Sequence, residues 1–421
     1  MSVNHRTAAL AALISAALAG ACSPGGAPTA PSSGQTAAGK FKVERKAIYP
    51  AEFAPGKPYS PGVLVGDTLY IAGQVSKDPK SGEQPAAVEA QTQLALDNMG
   101  HVLRAAGMDP SNVVSCHVYL ADMENYQAMN AVYGKYFEAG GSYPARTTLE
   151  VPGVPGGSGL EISCIAYADK SRISVVTPPE GAVPAAMGPY SKAVWAGDTL
   201  YVSGSGGRDP KTNEAPDAIE EQTKNTLDTI GAILDAASLK HENAVFVNAY
   251  YLGPENYAKL NSVYKDYFEF GTAPARASFC LSRLPGTISV EITFVATRDL
   301  ATKGRVLPHY MKPSPTSSPA TLAGDTMYLS AKSSPQSGGE LESQLRGTLQ
   351  LLRDSLLLGG MDYENVVSAH VYLNDLADMP RMDAIFSEVF GQNPPARTTI
   401  QVREEGPREA VLEEVALIAV R

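Results

Sequence analysis

Gly66-Asp67-Thr68-Leu69-Tyr70 returns as Gly197-Asp198-Thr199-Leu200-Tyr201 and again as Gly324-Asp325-Thr326-Met327-Tyr328, at offsets of 131 and 127 residues. A second marker, Pro144-Ala145-Arg146, returns in the same order as Pro274-Ala275-Arg276 and Pro395-Ala396-Arg397. Two independent markers recurring together over that distance mean three tandem domains, because solenoid repeats are far shorter. The boundaries fall near residues 171 and 302, which gives domains 41–171, 172–302 and 303–421. The chain length of 421 residues agrees, since it exceeds what one hydrophobic core holds.

Each repeat carries the same order of elements. In the first, the apolar runs 63–65 and 69–71 flank Gly66-Asp67 and predict a β-hairpin. Leu94, Met99, Val102, Leu103 and Ala106 mark one helical face, closed by Gly107. Residues 113–120 read as a strand, with counterparts at 245–252 and 366–373. A second amphipathic helix buries Tyr126, Met129, Val132, Tyr133 and Phe137, and strands 146–151 and 160–168 close the unit. This order predicts an α+β layer with both helices on one sheet face. The other face needs cover, and neighbouring repeats can supply it.

Composition narrows the function. With 44% hydrophobic and 19% charged residues the chain is globular, and its net charge of −10 without a basic run excludes a footprint for nucleic acid or anionic lipid. A single Trp among scattered Tyr and Phe offers no stacking platform for single strands. Small molecules or protein surfaces remain as partners. The His residues at 5, 101, 117, 241, 309 and 370 show no metal-ligand spacing, and Cys116 and His117 point to opposite faces of a strand, so no metal is expected. Gly204-Ser205-Gly206-Gly207 lacks the G-x-G-x-x-G register and reads as a loop.

The largely apolar run 7–19, preceded by His5 and Arg6, is too short to span a bilayer and has the proportions of a secretory signal. Ala19-Gly20-Ala21 fits ordinary A-x-A cleavage. Small residues directly before Cys22 also resemble the lipobox of bacterial lipoproteins, although the expected Leu sits one place early. We take the lipoprotein reading: a signal over 1–21, a lipid on Cys22, a flexible Pro/Gly/Ser tether over 22–40, and an exported periplasmic protein that meets the membrane only through that lipid. Removing the signal takes away only Arg6 and leaves the chain acidic. If Cys22 is acylated, Cys116, Cys164 and Cys280 remain in apolar strand-like runs, and buried free thiols are expected; a Cys116 to Cys164 bridge stays open.

The candidate chemistry lies in Arg146 with Glu161, Arg276 with Glu291, and Arg397 with Glu414, separated by 15, 15 and 17 residues. One such pair could be a structural ion pair; recurrence in all three repeats points to a site. In a simple antiparallel hairpin Arg146 and Glu161 would be offset by about four residues, roughly 13 Å. Either the Arg of one repeat meets the Glu of a neighbour, or the two strands are not hairpin partners.

The fullest series is Gly188-Pro189-Tyr190-Ser191-Lys192, Val202-Ser203-Gly204, Asn261, Pro274-Ala275-Arg276 and Val290-Glu291-Ile292. It resembles the Rid family, the YjgF-type reactive-intermediate (imine) deaminases, and the likeness covers residues from about 43 to 421, three times over. The resemblance implies a chorismate-mutase-like α+β fold, a trimer with sites between subunits, and cofactor-free hydrolysis of 2-imino acids to 2-keto acids and ammonia. Three copies on one chain then imply an intrachain pseudo-trimer. Carried over residue by residue, the site is Tyr59, Gly73, Asn130, Arg146 and Glu161 in repeat 1, and Tyr190, Gly204, Asn261, Arg276 and Glu291 in repeat 2. Repeat 3 departs, with Ser317, Ala331 and Asp383 at the Tyr, Gly and Asn positions; Arg397 remains, and Glu413 or Glu414 could fill the last place. If the three lost residues serve one interface, two sites survive; if they are split, one does.

In that reading Arg clamps a substrate carboxylate with paired charge-assisted hydrogen bonds, and Glu positions water and takes its proton. Gly permits close approach, while Tyr and Asn supply wall and polar contacts. A second function, an exported non-catalytic small-molecule-binding or scaffold module on the same fold, is favoured by the leader. The retained Arg and Glu favour the hydrolase.

Overall fold

In a computed structural model that describes residues 44–138, 140–402 and 410–421, the repeated Gly-Asp pair turns a β-hairpin in each third of the chain. The glycine is required: Gly66, Gly197 and Gly324 take φ of 55°, 60° and 58°, left-handed values that a β-carbon resists and that suit the first position of a type II′ turn. The leader 1–21, Cys22 and the tether 22–40 lie outside the described residues.

Repeat 1 runs β1 (Arg45–Ile48), β2 (Gly62–Val65), β3 (Thr68–Val75), α1 (Val88–Ala105), β4 (Val113–Leu120), α2 (Tyr126–Glu138), β5 (Ala145–Glu150) and β6 (Leu160–Tyr167). Repeat 2 follows as β7 (Ile173–Val176), β8 (Ala193–Ala196), β9 (Thr199–Gly206), α3 (Ile219–Ala236), β10 (Ala244–Tyr251), α4 (Asn256–Tyr264), β11 (Ala275–Cys280) and β12 (Val290–Thr297). Repeat 3 comprises β13 (Lys303–Val306), β14 (Ala320–Ala323), β15 (Thr326–Lys332), α5 (Leu341–Leu358), β16 (Val366–Leu373), α6 (Met379–Phe390), β17 (Ala396–Gln401) and β18 (Glu413–Val420).

Each repeat is a six-stranded sheet ordered β1-β2-β3-β6-β4-β5 or its counterpart. Helix α2 carries the chain from β4 to its parallel neighbour β5, as a parallel pair requires, and β6 then enters antiparallel between β3 and β4. Strands β5 and β6 are therefore not hairpin partners. Within one repeat β4 separates Arg146 from Glu161: Cys116 faces the first and Tyr119 the second.

Both helices pack on one sheet face. Met99, Val102 and Leu103 of α1 enter that core as the periodicity predicts; Leu96 takes the place expected of Leu94, which lies at the margin of the buried stripe and is half-buried. The thiols of Cys116 and Cys164 are not free. Insertion of β6 beside β4 sets these residues opposite each other with Cα atoms 4.1 Å apart, and they are joined as a disulfide. That register could not be read from their spacing of 48 residues.

The opposite sheet faces meet one another. Tyr119 and Leu149 of repeat 1, Tyr250 and Phe279 of repeat 2, and Tyr372 and Ile400 of repeat 3 share one cluster, in which Phe279 stacks on Tyr372 with ring centroids 3.7 Å apart. Backbone bridges Ala145↔Ser191, Ala275↔Ser318 and Ser60↔Ala396 seat β5, β11 and β17 each against the next repeat, the last returning to the first. The three repeats close a ring within one chain, with three seams.

Candidate active site

At the seam between repeats 1 and 2, β5 is held by its own backbone. Arg146 N donates to Ser203 Oγ at 2.8 Å, and Ser203 Oγ donates to Ser191 O at 2.5 Å. The Arg146 side chain then turns into the seam, 3% exposed, with its guanidinium carbon 4.8 Å from the Tyr133 ring centre and 5.4 Å from that of Tyr190. Aromatic faces suit a guanidinium stripped of water, yet they leave its donors unmet. Nη2 donates to Tyr126 Oη at 3.4 Å. Nη1 and both amide atoms of Asn130 are buried without a hydrogen-bond partner among the described residues. Such groups are costly unless something polar arrives: Arg146 Nη1 and Asn130 Nδ2 can donate to the oxygens of an anion, and Asn130 Oδ1 can accept from a ligand N–H or O–H. Gly188 keeps it open, because a β-carbon there would lie 2.6 Å from Arg146 Nη2.

The carboxylate comes from the other repeat. Glu291 of β12 is 5% exposed and accepts a hydrogen bond from Thr147 Oγ1, the residue after Arg146. Burial pushes its carboxyl up to about 7, against the opposing pull of Thr147, the Arg146 and Arg208 charges and the Thr148 N–H. Gly204 makes its place: a β-carbon at that position would lie 1.9 Å from Glu291 Oε1. Lys192 and Arg208 line the same cavity, with the Lys192 ammonium lowered to about 8 by burial and by the Arg208 charge.

The other seams are incomplete in different ways. Between repeats 2 and 3, Arg276 lies 4.3 Å from the Tyr264 ring centre, and its Nη1 donates to Asn261 Oδ1 at 2.7 Å. Facing it, repeat 3 presents Ser317 and Ala331 in place of Tyr and Gly, and Ala277 stands where Thr147 serves Glu291. Strand register decides between the two glutamates: Glu414 pairs with Tyr372 as Glu161 does with Tyr119 and Glu291 with Tyr250. Glu413 faces the helices instead, where Thr348 Oγ1 donates to it at 2.6 Å.

Between repeats 3 and 1, Glu161 is 2% exposed and pushed up to about 8 by burial, opposed by the Thr399 N–H and the Arg397 charge. Gly73 makes room for it, and Tyr59 faces Arg397 at 5.2 Å. Here Asp383 stands at the Asn position, and Arg397 Nη2 donates to its Oδ1 at 2.6 Å.

The five residues grouped in repeat 1 are thus divided: Asn130 and Arg146 face repeat 2, while Tyr59, Gly73 and Glu161 face repeat 3. Likewise Tyr190, Gly204 and Glu291 meet Arg146, whereas Asn261 and Arg276 meet repeat 3. Arg397 does not share a site with Glu413 or Glu414. The three losses of repeat 3 fall on two seams, which leaves the 1–2 seam complete. Tyr133, Thr147 and the cavity-lining Lys192 and Arg208 were not foreseen as site residues. A signal for the first existed: an aromatic follows the Asn/Asn/Asp position by three residues in every repeat, as Tyr133, Tyr264 and Phe386, on one helix face.

A profile of the family described as Endoribonuclease L-PSP matches residues 50–168, 180–298 and 311–421. Over 110 residues the chain is 46% identical to a 2-iminobutanoate/2-iminopropanoate deaminase of Capra hircus, a stretch covering 26% of this chain and 79% of that protein. The deaminase of the same name from Homo sapiens is 43% identical over 116 residues, 27% of this chain and 83% of its own length. Among solved structures, the YjgF gene product of E. coli is 34% identical with a TM-score of 0.28, covering 29% of this chain and 98% of that one.

Proposed function

The chain belongs to the endoribonuclease L-PSP family, the Rid or YjgF type, and from that premise we propose that it hydrolyses 2-imino acids to 2-keto acids and ammonia at the 1–2 seam. The observation that carries the proposal is that this seam alone among the three brings together Arg146, Asn130, Tyr190, Gly204 and Glu291. Relatives named as 2-iminobutanoate/2-iminopropanoate deaminases support it. RNA cleavage, which the family description would suggest, finds no support in a chain of net charge −10 without a basic run.

A 2-imino acid carries a carboxylate beside an electrophilic C=N carbon. Arg146 Nη1 and Asn130 Nδ2 donate to the carboxylate, which fixes that carbon near Glu291. Ionised Glu291 accepts a proton from water as the water oxygen attacks C2. The resulting carboxylic acid passes the proton to the substrate nitrogen. Ionised again, Glu291 takes the proton of the new hydroxyl and delivers it to the nitrogen as the C–N bond breaks, leaving the keto acid and ammonia. A carboxyl near pH 7 can serve in both directions. Lys192 and Arg208, which line the cavity, give it a positive field for the anionic substrate.

Export behind a lipidated Cys22 belongs to the same proposal, and a Cys22→Ser protein that still partitions with membranes would remove the lipid from it. Hydrolysis is tested with 2-iminopropanoate generated in place by an amino-acid oxidase, following loss of imine and gain of pyruvate. The protein should exceed the spontaneous rate, and Glu291→Gln should lower kcat by about 10²- to 10⁴-fold. A folded protein that adds nothing to spontaneous hydrolysis leaves the binding-module reading in its place.

A further inference from the structure

We infer that Asp383 is a built-in carboxylate that occupies the Arg397 clamp and closes the 3–1 seam to carboxylate substrates, so that the chain carries a dormant site beside its working one. The inference rests on the reading of Arg146 as a carboxylate clamp. It goes beyond it by assigning one residue the choice between an open and a closed seam.

Position 383 on α6 corresponds to Asn130 on α2 and Asn261 on α4, each three residues before the aromatic that faces the guanidinium. At the 2–3 seam the amide oxygen of Asn261 accepts from Arg276 Nη1 at 2.7 Å; at the 3–1 seam a carboxylate oxygen accepts from Arg397 Nη2 at 2.6 Å. The geometry is nearly the same, and the charge is not. Arg397 is a buried guanidinium, its side chain 2% exposed, already neutralised by an anion whose own side chain is 33% exposed. A ligand carboxylate entering there would face Asp383 as a like charge, and Nη1 alone remains without a partner among the described residues. The second donor that Asn130 Nδ2 sets beside Arg146 Nη1 is missing here, because a carboxylate has no N–H to give. The 1–2 seam is built the other way: Asn130 is neutral, Arg146 makes no ion pair among the described residues, and Lys192 lines the cavity where repeat 1 has Pro61.

The buried glutamate, its glycine and the tyrosine facing the arginine that the 1–2 seam offers are also present at the 3–1 seam. Glu161 is buried beside Gly73, takes the Thr399 N–H, and keeps Oε2 without a partner among the described residues. Tyr59 faces Arg397, and Phe386 replaces only the tyrosine wall. At the clamp itself, one oxygen-for-nitrogen exchange, Asp383 for Asn, separates the closed seam from an open one.

The test uses the whole chain as wild type, Asp383→Asn, Arg146→Ala and the Arg146→Ala/Asp383→Asn double variant. Two readings are taken: turnover of 2-iminopropanoate, and the number of pyruvate molecules bound per chain by titration calorimetry. Arg146→Ala lowers kcat/KM at the working seam by about 10- to 150-fold. Adding Asp383→Asn should raise turnover by at least about tenfold over Arg146→Ala alone, the lower bound for one charge-assisted hydrogen bond, and should add one pyruvate site per chain. A further Arg397→Ala should remove both gains. Unchanged turnover and unchanged pyruvate count in the double variant, with circular dichroism equal to the parent, would overturn the inference; Asp383→Ala is read the same way should Asn perturb α6. A wild type inactive on 2-iminopropanoate would count against hydrolysis alone, because the pyruvate count still decides what Asp383 does.

Discussion

Gly204→Ala should disable the working seam without touching the substrate clamp. A methyl group at that position would lie 1.9 Å from Glu291 Oε1, 2.7 Å from Glu291 Cδ and 2.7 Å from Thr147 Oγ1. An ordinary approach of carbon to oxygen is about 3.3 Å, so the carboxylate oxygen must retreat by about 1.4 Å. Displacement of a reacting group by 1 Å costs on the order of 100-fold in rate. The backbone accepts alanine, since Gly204 does not take a left-handed φ. Losing the Thr147 bond lowers stability by at most about 1.5 to 3 kcal/mol, the value of a hydrogen bond to a charged group. Steady-state kinetics on 2-iminopropanoate should therefore show kcat about 100-fold down with KM little changed, because Arg146 still holds the carboxylate. Repeat 3 already carries this substitution as Ala331. Gly73→Ala is the control: its methyl would lie 1.5 Å from Glu161 Oε1, an equally severe clash at the 3–1 seam, and turnover should stay near wild type. Wild-type kcat in Gly204→Ala, or an equal loss in Gly73→Ala, would refute the reasoning.

Two predictions concern stability and pH. Burial raises Glu291 from 4.5 to about 7 and Glu161 from 4.5 to about 8, so each favours the fold while protonated; that contribution is complete below pH 4.5 and is lost as pH rises through 7 and 8. Urea titrations should show stability falling across that window, with Glu291→Gln removing a share on the order of 3 kcal/mol, while kcat rises with pH as Glu291 ionises; a flat stability profile would contradict the burial of these carboxyls. Reducing Cys116–Cys164, which closes a separation of 48 residues, should cost about 2 to 4 kcal/mol in the same titration, and an unchanged midpoint under reductant would argue against the bond.

The repeat and its elements were legible because turn chemistry and hydrophobic period are local: Gly66-Asp67, Gly197-Asp198 and Gly324-Asp325 demand a turn wherever they stand. The residue types of the site were legible for the same reason, as short motifs beside those markers. Their grouping was legible only in part. The strand offset already set the Arg of one repeat toward the Glu of a neighbour or the two strands apart, but which neighbour, and the division of Tyr, Gly and Asn between seams, required the parallel crossover through α2 that carries Arg146 to the sheet edge beside the next repeat's Glu291. The disulfide and the choice of Glu414 over Glu413 both depend on the register of inner strands, which alternation alone leaves open by one residue. Asp383 was visible as a departure from Asn, yet only its contact with Arg397 gives the departure a consequence.

The central claim is that one seam does the work, and three single substitutions assayed side by side on 2-iminopropanoate test it most directly. Arg146→Ala should remove charge-assisted hydrogen bonding worth about 1.5 to 3 kcal/mol and lower kcat/KM by about 10- to 150-fold, with Arg146→Lys rescuing little, because a flexible point charge cannot reproduce the fixed donor directions of the guanidinium. Arg276→Ala and Arg397→Ala should leave most of the activity, since the first seam lacks its Gly and Tyr partners and the second is held by Asp383. Equal losses from all three substitutions, or an active Arg146→Ala chain beside an inactive Arg276→Ala or Arg397→Ala one, would contradict the account.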